Sequence, residues 1–169
     1  LGAAGVAMDP APPKGILNLP LRQLKSSAPA LLHPSKRSGV VALTLEQFTY
    51  AFVNTFTPEE AQAAYERYAV PDTARPLFEA AFANFNSNAP SKGSYSHGRP
   101  PLLITAGEKD NTVPASVSRS IFKKQRHVPA RTSLLEFEGR PHLLMAGEGW
   151  EEVAKGVHDW LETLGLGAT

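Results

Sequence analysis

Three short apolar runs stand out along the chain: Ala3 to Met8, Pro101 to Ala106 and Thr132 to Phe137. Each is too short for a core helix and is bounded by Gly, Pro or charged residues. This is how strands of a parallel sheet, apolar on both faces, are written. Two helical patterns follow the later runs. Pro114 to Gln125 carries Val117 and Ile121 on one face, and Glu148 to Leu164 carries Val153, Val157, Trp160, Leu161 and Leu164 on one side. Strand, helix, strand and helix joined by short connections predict parallel strands with right-handed crossovers.

The residues between the first and second runs have a different rhythm. Asp9-Pro10-Ala11-Pro12-Pro13-Lys14-Gly15 ends the first strand, and Pro and Gly recur to about Gly39, with a short helix expected at Leu21 to Ser27. Leu45, Phe48, Phe52, Val53 and Phe56 then recur at roughly helical spacing. Thr57-Pro58-Glu59-Glu60 is a helix start, with Thr as N-cap, Pro at N1 and Glu closing a capping box. That helix stops before Pro71. Asp72 or Thr73 caps a further one carrying Leu77, Phe78, Ala81, Phe82 and Phe85, and Asn84 to Gly98 is a polar, turn-rich linker. The expected organisation is an α/β core from residues 1–15 and 99–169, with an all-helical insert, 16–98, acting as a cap or lid. The insert's aromatics are mostly its own core, with a few left to cover a site.

Composition narrows the function classes. The chain has 169 residues, 42% hydrophobic and 20% charged, which suits one ordinary domain. A net charge of +1, with no Lys/Arg block, gives no reason to expect a nucleic-acid partner or an anionic membrane surface. No apolar stretch approaches the roughly 20 residues of a membrane span. No signal peptide pattern is visible, so a cytoplasmic location is expected. Cysteine is absent, which removes disulfides, thiolate metal sites and a thiol nucleophile. His33, His97, His127 and His158 show no metal-ligand spacing, and Gly2-x-x-Gly5 lacks the dinucleotide-binding pattern. No cofactor is implied.

The chemistry sits in two loops. Leu103-Ile104-Thr105-Ala106-Gly107-Glu108-Lys109-Asp110-Asn111-Thr112-Val113-Pro114 places an acid just beyond one strand, and Gly139-Arg140-Pro141-His142 places a His just beyond the next. These stretches resemble the acid and histidine loops of α/β-hydrolases, and more narrowly of actinobacterial-type serine hydrolases with a helical cap. The resemblance covers essentially the whole chain, as the C-terminal half of such an enzyme. Pro141 departs from it, standing where many members carry Ser or Cys. The larger departure is that neither the nucleophile elbow, Gly-x-Ser-x-Gly, nor the oxyanion loop occurs here. The expected fold is therefore the C-terminal part of a mostly parallel sheet with a cap insert, its N-terminal strands and elbow lying outside this chain.

The resemblance implies a Ser–His–Asp triad in which His142 is the base and Asp110 orients it. Glu108 and Asp9 are rival acids. Asp9 follows the first strand, where some relatives carry theirs, and it could also shape the pocket floor. Met8, Leu143 and Met145 are expected to line the site. The implied activity is esterase-like hydrolysis of a hydrophobic small molecule, with the serine supplied by an N-terminal half, as a separate or missing segment. Epoxide hydrolase, dehalogenase, lyase and perhydrolase activities share the same last two residues. A different reading is a non-catalytic fragment or pseudo-enzyme module that needs a partner chain.

Overall fold

A computed structural model describes residues 2–89 and 98–167, with the backbone alone at Lys36. Part of the polar linker, including His97, lies outside the described residues. Three strands form one parallel sheet: β1 (Gly5–Met8), β4 (Leu102–Gly107) and β5 (Thr132–Phe137), in the order β1-β4-β5. Gly5 pairs with Leu102 and Met8 with Thr105, while Leu102 pairs with Thr132 and Gly107 with Phe137. α5 (Ala115–Gln125) crosses between β4 and β5, and α6 (Trp150–Glu162) follows β5.

β4 is central, and its Leu103, Ile104 and Ala106 are fully buried. Removing each large aliphatic side chain from water contributes about 1.5–3 kcal/mol. Ile104 packs with Val113, Val117 and Ile121 of the acid loop and α5, and with Ile16. Phe137, Leu144 and Val153 tie β5, its exit loop and α6 together. β1 is less buried than its composition suggests. Val6 and Met8 are exposed, because within the described sheet β1 pairs on one side only.

Between β1 and β4 lie α1 (Leu21–Leu31), α2 (Leu45–Phe52), α3 (Pro58–Tyr68) and α4 (Arg75–Ala81). Thr44 and Thr57 both form complete capping boxes, with Gln47 and Glu60, which satisfies backbone donors at the starts of α2 and α3. Phe48, Val53, Ala61 and Ala64 form one core there, and Ala30, Ala74 and Phe78 a second.

Three details depart from the sequence-based expectations. First, α1 runs past Ser27 with Pro29 inside it. Second, the segment is not wholly helical: β2 (Val40–Val41) pairs antiparallel with β3 (Asp72–Thr73), and the N-cap position of the next helix is Ala74, with Thr73 Oγ1 still accepting from Arg75 N–H at 3.2 Å. Third, Phe82 and Phe85 are exposed rather than core, because the helix ends at Ala81 and the turn after it carries their rings outward. No helix among the described residues is long and apolar enough to cross a membrane.

Candidate active site

The acid loop begins where β4 ends. Gly107 is the close-approach point. A Cβ there would lie 2.5 Å from the Pro141 carbonyl oxygen and 2.6 Å from that of Arg140. Only glycine lets the end of β4 meet the loop that carries His142. The ladder continues past the strands: Glu108 N–H donates to Phe137 O at 3.0 Å and Lys109 N–H to Arg140 O at 2.9 Å. Glu108, a rival acid on sequence grounds, points elsewhere. Its carboxylate accepts from Gly139 N–H at 2.9 Å, and that bond, together with Lys109, lowers its pKa.

Asp110 is fully buried. Its Oδ1 accepts from the backbone N–H groups of Thr112 at 2.6 Å and Val113 at 2.8 Å. Its Oδ2 lies 2.7 Å from His142 Nδ1. An ionised carboxylate can only accept, so in that state Nδ1 is the donor and Nε2 faces away from the acid. The two residues stand 32 positions apart in sequence and meet because β4 and β5 are neighbours in register. The His142 side chain is 19% exposed and packs its ring 5.3 Å from that of Phe52.

Contacts that no motif marks hold this pair in place. The last carbonyls of α2 have no partner within the helix. They accept instead from the two site loops: Tyr50 O from Asn111 Nδ2 at 2.9 Å, Ala51 O from Thr112 Oγ1 at 2.7 Å, and Phe52 O from Leu143 N–H at 2.9 Å. Asn54 Nδ2 returns a bond to Lys109 O at 3.0 Å. α2 is thereby stapled over the strand exits. No local pattern marks such contacts, since each joins residues far apart in sequence. Arg140 plays a similar part on the other side, donating to the carbonyls of Glu148 (2.7 Å) and Gly149 at the start of α6.

Asp9 lies in the same place. It leaves β1 with a φ of +40°, a left-handed conformation that Asp adopts more readily than most residues. It is 5% exposed, and its Oδ1 accepts from Gly107 N–H at 3.0 Å. Its Oδ2 is buried with no hydrogen-bond partner. Burial first, and the neighbouring Asp110 charge second, push its pKa up to about 7, against the pull of His142 and of the Gly107 bond. One oxygen or nitrogen from each of Asp9, Asp110 and His142 falls within 4.8 Å of the other two, a spacing that metal ligands also show. A cation there would have to break the Asp110–His142 bond. His158, Asp159 and Glu162 converge similarly on α6 but are exposed.

Two cavities flank α2. The larger, about 830 Å³, is lined from α1 and α2, including Lys25 and Tyr50, and contains neither Asp110 nor His142. The smaller, about 270 Å³, is lined without any charged side chain. Phe52, packed on the imidazole, and Leu143, the next residue after it, both belong to its wall. Neither cavity has Asp110 or His142 in its wall, and the smaller one adjoins the pair only through Phe52 and Leu143. Leu143 thus lines a cavity beside the pair, whereas Met8 and Met145 are exposed and are not among its lining residues. Their place near the loops does not make them part of its wall, because Met8 sits on the one-sided strand and Met145 on the outer turn before α6.

The strand order, register and placement of the two loops define the C-terminal part of an α/β-hydrolase fold. The same fold is found in the monoacylglycerol lipase of Paleococcus ferrophilus, whose structure matches 94% of this chain and 58% of its own at 19% identity, with a TM-score of 0.56. Matches also occur to a thermophilic esterase of Thermogutta terrifontis. Its propionate-bound form is 28% identical over 44% of this chain and 29% of that one (TM-score 0.40), and its butyrate-bound form 24% identical over 56% and 37% (TM-score 0.43). The chain therefore spans under two thirds of the length of these structures. No protein-family model and no curated protein sequence matches it.

Proposed function

We propose that this chain carries the acid and the base of a Ser–His–Asp hydrolase, Asp110 and His142, and that the serine lies on a segment outside it. The 2.7 Å contact between a fully buried carboxylate and a partly exposed imidazole is the observation that carries the reading. In the proposed reaction, His142 Nε2 takes the proton of the serine hydroxyl as its oxygen attacks the acyl carbon. The imidazolium so formed is stabilised by Asp110, and it returns the proton to the leaving alcohol as the ester bond breaks. Water then repeats the sequence on the acyl-enzyme. Backbone N–H groups of the upstream segment hold the oxyanion. The reaction as written calls on no metal or organic cofactor.

The substrate side is proposed from the uncharged cavity of about 270 Å³ against Phe52 and Leu143. It suits a single apolar acyl or alcohol group, being slightly smaller than the roughly 300–1,000 Å³ of drug-sized sites. In this reading the helices between β1 and β4 act as a cap, and the free edge of β1 is where the rest of the sheet docks.

The test is hydrolysis of p-nitrophenyl acyl esters by the full-length protein that contains this chain. His142→Ala should abolish turnover with an unchanged circular dichroism spectrum. Turnover that survives the substitution would leave the non-catalytic reading, in which the pair is only a structural clasp.

A further inference from the structure

Asp110 and His142 account for two of the three ionisable groups gathered at the strand exits. The third, Asp9, has no role in the reaction above. A carboxyl oxygen that is buried and unpartnered is costly, and more so when it carries charge. The backbone at Asp9 is also in a conformation that most residues avoid. An apolar residue would avoid the unpartnered oxygen but not the backbone cost, which Asp meets more easily than most residues. The groups that face Asp9 are few. From the end of β4 comes Gly107 N–H, from the acid loop the Asp110 carboxylate, and from the histidine loop the His142 imidazole.

We propose that Asp9 is a positioning residue that acts through His142: a second carboxyl, anchored on Gly107, that shares the field of the Asp110–His142 pair and makes the imidazole's work depend on its own ionisation. The inference rests on the catalytic reading for its consequence and on geometry alone for its existence. The physical logic is charge balance. When His142 takes up the nucleophile's proton, the site holds an imidazolium beside one carboxylate. With Asp9 neutral the local charge sums to zero, and with Asp9 ionised a second negative charge steadies the cation. Asp9 itself exchanges no proton with the substrate. The orienting bond to Nδ1 stays with Asp110, whose three donors leave it no freedom to exchange roles. Asp9 has one donor and a free oxygen, which leaves its ionisation open to its neighbours.

Two measurements test this, one of them independent of activity. Carbon-13 NMR of the aspartate carboxyls should show one group titrating near pH 7. That resonance should vanish in Asp9→Asn. In His142→Ala its midpoint should move up, because the downward pull of the imidazole on it is removed. In Asp110→Asn it should move down, because a repelling charge is removed. A midpoint that neither substitution moves would overturn the proposal, and this holds whether or not the protein turns over esters. If turnover is present, Asp9→Asn, which keeps an acceptor for Gly107 N–H, should lose about tenfold more of kcat at pH 8 than at pH 5.5, the equivalent of one pKa unit. A purely structural role would lower both equally, and equal losses would likewise overturn the proposal. Should Asp9→Asn fail to fold, the two partner substitutions still report the coupling with Asp9 intact.

Discussion

Two aspartates close neighbouring parallel strands of one sheet, Asp9 after β1 and Asp110 after β4, and they are held in opposite ways. Both are at least 95% buried. Asp110 meets two backbone N–H groups and an imidazole, so each oxygen has a donor. Asp9 meets one backbone N–H and leaves an oxygen bare. Equal burial thus leaves one carboxyl fully hydrogen-bonded and the other half so, and at Asp9 that burial pushes the pKa up. The loop after β4 folds back on itself and offers its own amides. The chain after β1 runs into Pro10 and offers none.

The comparison can be broken most directly at Asp110. Asp110→Asn should lower ester turnover in the full-length protein by about 10⁴-fold, the size seen when the orienting acid of a serine protease triad is replaced. If Asp9→Asn is as severe and Asp110→Asn is mild, the two assignments exchange.

A second effect, on stability, sharpens the contrast. Burial and the Asp110 charge push the Asp9 pKa up to about 7 in the folded chain, against an ordinary carboxyl value of 3.8. The unfolded chain loses the Asp9 proton near pH 4. Between these values the folded state binds more protons, so stability falls as pH rises, and the whole loss is present above pH 7. Asp9→Asn has no proton to lose. Its advantage in Tm over the parent should therefore grow from pH 4.5 to pH 8, with a ceiling of about 4 kcal/mol. An equal difference at both pH values would show that Asp9 is not the titrating group.

Gly107 serves both aspartates, since its N–H binds Asp9 and its bare Cα admits the His142 loop. Gly107→Ala should destabilise by about 1–3 kcal/mol through overpacking against Arg140 and Pro141. It should also widen the Asp110–His142 contact, read as a larger fractional loss of turnover than of stability. A fully active Gly107→Ala protein would mean that the loops can part without harm.

Local signals explain what was legible in advance. The three apolar runs became β1, β4 and β5, and Thr57 caps its helix. Capping and strand burial depend on residues within a few positions of one another. Asp110 and His142 were legible as motifs, because each sits at a fixed step beyond a strand end. The site's remaining parts were not. Gly107 N–H reaches Asp9 across 98 residues, and Asn111 reaches the Tyr50 carbonyl across 61. The exposure of Phe82 and Phe85 turned on where a helix stopped.

By itself, then, the sequence determined the three core strands, their order and most of the helices, because periodicity, caps and turn chemistry are local, while Asp110 and His142 stood out through the resemblance of their loops to those of α/β-hydrolases. Tertiary structure alone decided which strands became neighbours, that α2 would spend its last carbonyls on the site loops, and that Asp9, a rival acid in the sequence, would be anchored on Gly107. Those outcomes depend on register between distant segments, and no short stretch of sequence encodes a register.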